Sequence, residues 1–387
     1  MSENILIIIL IIVFYISNIK LKKIENINKL GNIITDYSNI FKVKQNDFFI
    51  KEPNTIKELF DIIKDSYNKK NKVRIRGGGH SCSGISIPKK NEIYINMKRL
   101  IRYNFNQVGT ILVEAGICMN DLRIFLKSQG FELPVYPHGC EGNTSPTVGG
   151  FICAGGISFN NSYKYGGFWE NVLEITIING SGQKKIYNHN DEIFPWLFAN
   201  YGQLGVIVSA KLKIYHIEKI KDFYPLGKKG IIKKNRYNKL EPKYIFYHIL
   251  CSKKNVKQSE KFIENIISSE YFTIMEKIYF SIKTTFIPFK KFNPPLLYKN
   301  KDFYVVGGFQ KVDKMDNKYK EKLKRIENKF SGLIEYNTTL NRYPQVEYLD
   351  IKTLKNYYIQ RGVYNKFLMY KKQMDPNDMF NQINIFN

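Results

Sequence analysis

Apolar positions recur along this chain with two periods, and the switches between those periods mark out its elements. Ile56, Leu59, Phe60, Ile63 and Tyr67 fall at helical spacing behind Pro53-Asn54-Thr55, a helix start signal. From Lys72 to Arg76 the pattern alternates as a short strand and stops at Gly77-Gly78-Gly79. The same reading predicts strands at Glu92–Met97 and Thr110–Glu114 and a capped helix at Asn120–Gln129, ended by Gly130. A loop rich in Pro and Gly spans Pro134 to Gly150, and strand-like runs return at Val172–Asn179 and Val206–Tyr215. Beyond about Ile217 the texture changes to long Lys- and Tyr-rich stretches. There Phe303–Phe309 reads as a strand, while Met315, Tyr319, Leu323, Ile326 and Phe330 form a helical stripe. Tyr348, Ile351, Leu354 and Tyr358 predict another helix. The change near 217 predicts a domain boundary, and no internal repeat accompanies it.

Ahead of these elements lies an unbroken apolar run, Ile5 to Ile16, continued weakly to Ile19. It is short against the ~20 residues that span a bilayer core, although flanking side chains can snorkel. Glu3 precedes the run, Lys20, Lys22 and Lys23 follow it, and no cleavage-site pattern of small residues appears. Residues 1–22 therefore read as an N-terminal membrane anchor inserted through residues 5–19. The positive-inside rule puts the body in the cytosol.

Composition narrows the classes. With 387 residues, 43% hydrophobic and 24% charged, the chain can build a sizeable core, which excludes a disordered or collagen-like protein. Its formal charge of +26 invites a polyanion partner. The lysines are spread along the chain, however, and no helix-turn-helix, RRM, KH or zinc-finger spacing accompanies them, so no nucleic-acid partner is expected. Five cysteines, an odd number without a C-x-x-C pair, argue against a disulfide framework and a structural zinc site.

The informative chemistry is glycine-rich. Arg76-Gly77-Gly78-Gly79-His80-Ser81 ends the strand that begins near Lys72. Successive backbone amides in such a turn can converge on an anion such as a pyrophosphate. The segment is neither a Walker loop nor a dinucleotide-binding G-x-G-x-x-G fingerprint. A second stretch holds Thr147-Val148-Gly149-Gly150 and Gly155-Gly156-Ile157-Ser158, followed by Tyr165-Gly166-Gly167. A third, Gly202-Gln203-Leu204-Gly205-Val206-Ile207, opens a strand. Glycine clusters at strand ends, spread over some 130 residues, suit an extended dinucleotide better than a small ligand.

This order, strand–RGGGHS, then TVGG…AGGIS…YGG, then GQLGVI, resembles the PCMH-type FAD-binding domain of the vanillyl-alcohol-oxidase flavoprotein superfamily. Within it the cytokinin dehydrogenases are the most similar group. Thr35-Asp36-Tyr37-Ser38-Asn39 and the C-terminal Asp375-Pro376, Gln382 and Ile385-Phe386 add to the likeness, which covers residues 34–216 and 366–387. The resemblance implies that Arg76, Gly77, Gly78, Gly79, His80 and Ser81 cradle the pyrophosphate of FAD, with His80 bonded covalently to the flavin. It implies that Thr147, Gly149, Gly150, Gly155, Gly156 and Ser158 line the phosphates and the flavin edge, and that Gly205, Val206, Ile207 and Gln382 contact the remainder. Those dehydrogenases carry a catalytic Asp just before TVGG. The matching position here is Gly142, which leaves Glu141, one residue earlier, as the candidate base, with His138 nearby.

The implied architecture is α+β. A two-subdomain FAD-binding domain (34–216) is closed by a C-terminal tail (366–387), and a smaller mixed α/β substrate domain (217–365) lies between them. The implied activity is removal of a hydride from a CH–OH or CH–NH group of a small organic substrate, with an electron acceptor left open. In the second domain Tyr304, Arg342, Tyr343 and Glu347 are further candidates for the substrate side. Two alternatives remain. One is a membrane-bound flavin reductase resembling the sterol Δ24-reductases, echoed by Lys164-Tyr165-Gly166. The other is a non-catalytic FAD-fold or polyanion-binding protein.

Overall fold

A computed structural model describes residues 33–37, 42–44, 48–81, 84–106, 108–137, 145–221, 243–268, 280–312, 321, 340–342 and 351–380. The chain begins with the antiparallel pair β1 (Ile33–Thr35) and β2 (Lys42–Lys44). β3 (Phe49–Lys51) then leads through α1 (Ile56–Asn68) to β4 (Val73–Arg76) and β5 (Ile93–Asn96), and these strands form a parallel sheet in the order β3-β5-β4. The start of α1 follows from Thr55, whose hydroxyl accepts the Glu58 amide at 3.1 Å. Its Leu59 and Ile63, one turn apart, are buried against Val73, Ile95, Val208 and Phe380. The strand predicted from Lys72 begins one residue later, at Val73, and the Lys72 ammonium donates to the carbonyls of Asn377 and Asp378.

The next stretch builds a second layer. Along the chain come β6 (Tyr103–Phe105), β7 (Thr110–Glu114), α2 (Met119–Ser128), β8 (Phe131–Glu132), α3 (Val148–Cys153) and α4 (Ser162–Tyr165). They are followed by β9 (Val172–Ile178), β10 (Lys184–Asn188), β11 (Val206–Lys213), β12 (Tyr215–His216) and α5 (Ile217–Lys221). Five of these strands make an antiparallel sheet in the order β10-β9-β11-β7-β6, and β12 pairs with β8. Two expectations change here. α2 starts at Met119 without a side-chain cap of its own; Ser145 Oγ, from a distant segment, accepts the Asn120 amide at 3.1 Å. The expected loop through Gly150 gives way to a helix at Val148. Thr147 caps that helix through the Gly150 amide, and the Val148 and Gly149 amides donate to Ile117 and Ala115. Tertiary hydrogen bonds thus impose helix on a glycine pair of poor intrinsic propensity.

The second region is built from β13 (Lys243–Cys251), α6 (Val256–Ser268), β14 (Phe280–Ile287), β15 (Phe303–Val312) and β16 (Leu340–Arg342), followed by α7 (Ile351–Gln360) and α8 (Tyr364–Met374). Its strands form an antiparallel sheet in the order β14-β15-β13-β16. α6 covers one face: Thr284 Oγ1 donates to Glu260, and a side chain at Gly308 would meet Ile263. On the other face Leu250, Ile287, Phe303 and Val305 join one continuous core with Phe168, Trp169 and Phe198 of the first region. The Trp169 indole N–H donates to the Phe292 carbonyl across the same contact, at 3.0 Å. The predicted stripe from Met315 to Phe330 lies outside the described residues.

The segment after α8 returns to β4. The Val73 amide donates to the Met379 carbonyl at 2.8 Å, and Val73 forms a parallel bridge with Phe380. A buried cluster fastens it. The Lys371 ammonium pairs with Asp375 and Asp378 and donates to the carbonyls of Gln203 and Phe380. Asp375 accepts the amides of Met379 and Phe380. The two buried charges, Lys371 and Asp375, are thereby paired and hydrogen-bonded, the condition for placing ions in a core.

Candidate functional site

β4 delivers the chain into Gly77, Gly78 and Gly79. Glycine is required there because a side chain at Gly77 would strike Thr147 and one at Gly78 would strike the Ser145 carbonyl. Gly79 also takes a left-handed φ of 73°. The amides of these three glycines make no hydrogen bond among the described residues. Beside them the Arg76 guanidinium folds back beneath Gly79, and its Nη1 is buried without a hydrogen-bond partner among the described residues. The same guanidinium acts on Tyr94, whose hydroxyl burial pushes up to about 12 while the Arg76 charge partly opposes the rise. His80 follows, its ring stacked on Tyr37 at 4.6 Å between centroids and 26° between planes. The Tyr37 amide donates to the Ser81 carbonyl at 3.0 Å, which fixes the end of the turn.

The second glycine stretch meets the first through Thr147, buried between Gly77 and Gly150, but its own amides are engaged. Gly149 donates to Ala115, Gly150 to Thr147 Oγ1, Gly155 to Ile152 and Gly156 to Phe151. Here glycine answers to packing. A Cβ at Gly149 would lie 2.9 Å from that of Ala115, and one at Gly155 would lie 2.6 Å from Leu297. Ser158 is buried and organises α4, its amide donating to Ser162 Oγ and its hydroxyl accepting the Asn161 amide. At the third stretch Gly205 approaches the Ile178 carbonyl, while Val206 and Ile207 send their side chains into the two cores.

The structure therefore brings Arg76–Ser81 together with Thr147, and it adds three contributors that the pattern of glycines did not single out as contacts. They are Tyr37 against His80, and Ser145 with Pro146 against Gly78. The sequence signal for Tyr37 was present in the Thr35–Asn39 segment; Ser145 and Pro146 carried none. Glu141, His138 and Gln382 lie outside the described residues. Among the described residues, no group of three His, Cys, Asp or Glu side chains could hold a metal ion. No described helix is long and apolar enough to cross a membrane, and residues 5–19 lie outside the described set.

Comparison with known proteins bears on this geometry. Residues 49–185 match the family described as FAD binding domain. L-gulonolactone oxidase of Bos taurus is 27% identical over 165 residues, which is 42% of this chain and 36% of the relative. D-lactate dehydrogenase of Archaeoglobus fulgidus is 25% identical over 179 residues, 44% of this chain and 39% of that protein. D-arabinono-1,4-lactone oxidase of Candida glabrata is 20% identical over 188 residues, 47% of this chain and 34% of its own length. The chain thus spans little more than a third of each of these relatives, and cytokinin dehydrogenase is not among them.

The residues present fit the cofactor. Three adjacent free amides and a guanidinium whose Nη1 is buried without a partner among the described residues are what a diphosphate needs, because each supplies a donor to a charged acceptor that has left water. Gly77, Gly78, Gly79 and Arg76 would hold the pyrophosphate, and His80 stands at the end of that cradle. The match of residues 49–185 to the FAD binding domain family agrees with that cradle.

Proposed function

We propose that this protein is an FAD-dependent oxidoreductase that removes a hydride from a CH–OH carbon of a small organic substrate, with its flavin attached to His80. The observation that carries the reading is the free-amide turn at Gly77–Gly79 beside the unpaired Arg76 guanidinium and His80. The relatives support the CH–OH side of the reaction, since two are named as oxidases of sugar lactones and one as a dehydrogenase of D-lactate. An amine substrate of the kind the cytokinin dehydrogenases oxidise has less support from those names.

Oxidation of such a carbon releases a hydride from carbon and a proton from the hydroxyl. Bound FAD supplies the two-electron hydride acceptor. The chain must then bind and orient the alcohol, exclude water and receive the proton, a task we assign to Glu141. His80 would hold the flavin covalently through a ring nitrogen, in place of its N–H and one C–H of the flavin methyl, and the flavin itself would accept the two electrons so released. We further propose that residues 5–19 anchor the enzyme to a membrane with its body in the cytosol. Glu3 before that run and the three lysines after it favour this orientation.

The test is an absorption spectrum of the purified full chain before and after acid precipitation. Flavin bands that stay with the pellet, and that move to the supernatant in His80→Ala, are the expected result. Bands released from the wild type would remove the covalent bond and keep the oxidoreductase. A colourless protein that takes up no added FAD would overturn the whole reading.

A further inference from the structure

The strand pair β1–β2 is a two-stranded sheet of its own, and none of residues 33–37 and 42–44 is among those of the two buried cores. Two strands alone are marginally stable in water, so the pair takes its place through contacts beyond its own ladder. Tyr37, just past β1, supplies two of them, and both go to the end of the glycine turn. Its amide donates to the Ser81 carbonyl at 3.0 Å. Its ring lies on that of His80, with 4.6 Å between centroids and 26° between planes. Tyr37 is half-buried, and Asp36 before it is buried, so the chain is seated where it meets the turn.

The two contacts restrain different things. The amide bond holds the backbone one residue after His80, opposite Gly79, whose φ of 73° bends the chain one residue before it. The stack holds the side chain. An imidazole turns about two torsions, the second of them soft, and a ring lying nearly parallel against its face limits that rotation. Stacking engages the face, whereas the two nitrogens sit at the edge and point outward in the plane of the ring. Tyr37 therefore sets the direction of those nitrogens without using either of them. A bond from a ring nitrogen forms along that plane, so fixing the plane supplies in advance part of the orientation that bond formation requires.

We infer that Tyr37 is a positioning residue for flavin attachment, holding the plane of the His80 ring so that one of its nitrogens meets the flavin methyl, and doing so with its aromatic face rather than its hydroxyl. This rests on the covalent attachment proposed above. The new C–N bond replaces the ring N–H and one methyl C–H, and the two electrons and two protons released pass to the flavin.

The test follows the growth of acid-stable flavin in the full chain, purified flavin-poor from riboflavin-limited cells and then given excess FAD. Total flavin per chain and the thermal midpoint are measured alongside, and His80→Ala sets the baseline for acid-stable flavin. Tyr37→Phe is expected to attach flavin within about twofold of the wild-type rate, and Tyr37→Leu roughly fivefold or more slowly, the size of effect an aromatic pair supplies. Both variants should bind as much total flavin as the wild type and melt with it. Tyr37→Met gives the same comparison if Tyr37→Leu does not fold. Attachment at the wild-type rate in Tyr37→Leu would overturn the inference, and a slow Tyr37→Phe would do the same by assigning the effect to the hydroxyl. Total and acid-stable flavin that fall in parallel would also overturn it, because Tyr37 would then serve the turn as a whole. Flavin that acid releases from the wild type would remove the covalent bond and this inference together, and leave the oxidoreductase standing.

Discussion

Two stretches of this protein read alike as strings of glycine and differ in what the glycines do. At Gly77–Gly79 the amides make no hydrogen bond among the described residues, and the Arg76 guanidinium beside them holds a buried, unpartnered Nη1. At Gly149–Gly156 the glycine amides are bonded within the fold, and the absent side chains let α3 lie against Ala115 and let the following turn lie against Leu297. The first stretch is arranged for a ligand, the second for close contact between segments. Glycine excludes Cβ in both, and only the fate of the amide separates a binding loop from a packing device.

Substitutions can break or sharpen this contrast. The largest effect is expected from Gly78→Ala, whose new methyl would drive the turn off the Ser145 carbonyl, backbone against backbone. Overpacking of this kind costs on the order of 1–3 kcal/mol. The displaced amides should also lose FAD, so both thermal midpoint and flavin content per chain should fall. Next comes Arg76→Met, which removes a charge-assisted donor worth roughly 1.5–3 kcal/mol. In a His80→Ala background, where flavin binds reversibly, titration with FAD should show affinity at least tenfold weaker while the flavin-free protein melts as its parent does. An unchanged affinity would mean that the guanidinium serves the fold and not the ligand. Gly149→Ala sharpens the other side: its methyl meets Ala115 at 2.9 Å, where a small shift of α3 gives relief. A loss of about 1 kcal/mol is expected, with flavin content per folded chain unchanged. Flavin loss in that variant without a change in melting would erase the distinction between the two stretches.

Much of the first region was legible because its signals are local. Thr55 and the Ile56–Tyr67 stripe announce α1, and Gly77 stops β4 where the alternation ends. β13, α6 and β14 escaped notice for a physical reason. Around Ile249, Leu250 and Cys251, α6 covers one side of the sheet and the first region the other, so successive residues are all buried and no period of two survives there. The site was half legible. The residues of the RGGGHS turn could be named, but the occupation of the Gly149 and Val148 amides depends on the carbonyls of Ala115 and Ile117, more than thirty positions upstream. No spacing rule carries that information.

The bond from Val73 to Met379 has a consequence for how the protein is made. A ribosome emits the strand that presents the RGGGHS turn about 300 residues before it emits the segment that completes the edge of that strand. During that interval β4 is a nascent strand with an open amide, and Met379, which pairs with it, and Lys371 and Asp375, which fasten that segment, have not been translated. Completion of the strand that carries the glycine turn thereby waits for translation through Phe380. A chain stopped short of residue 371 would carry every residue of the glycine turn and still lack the edge that holds its strand in place.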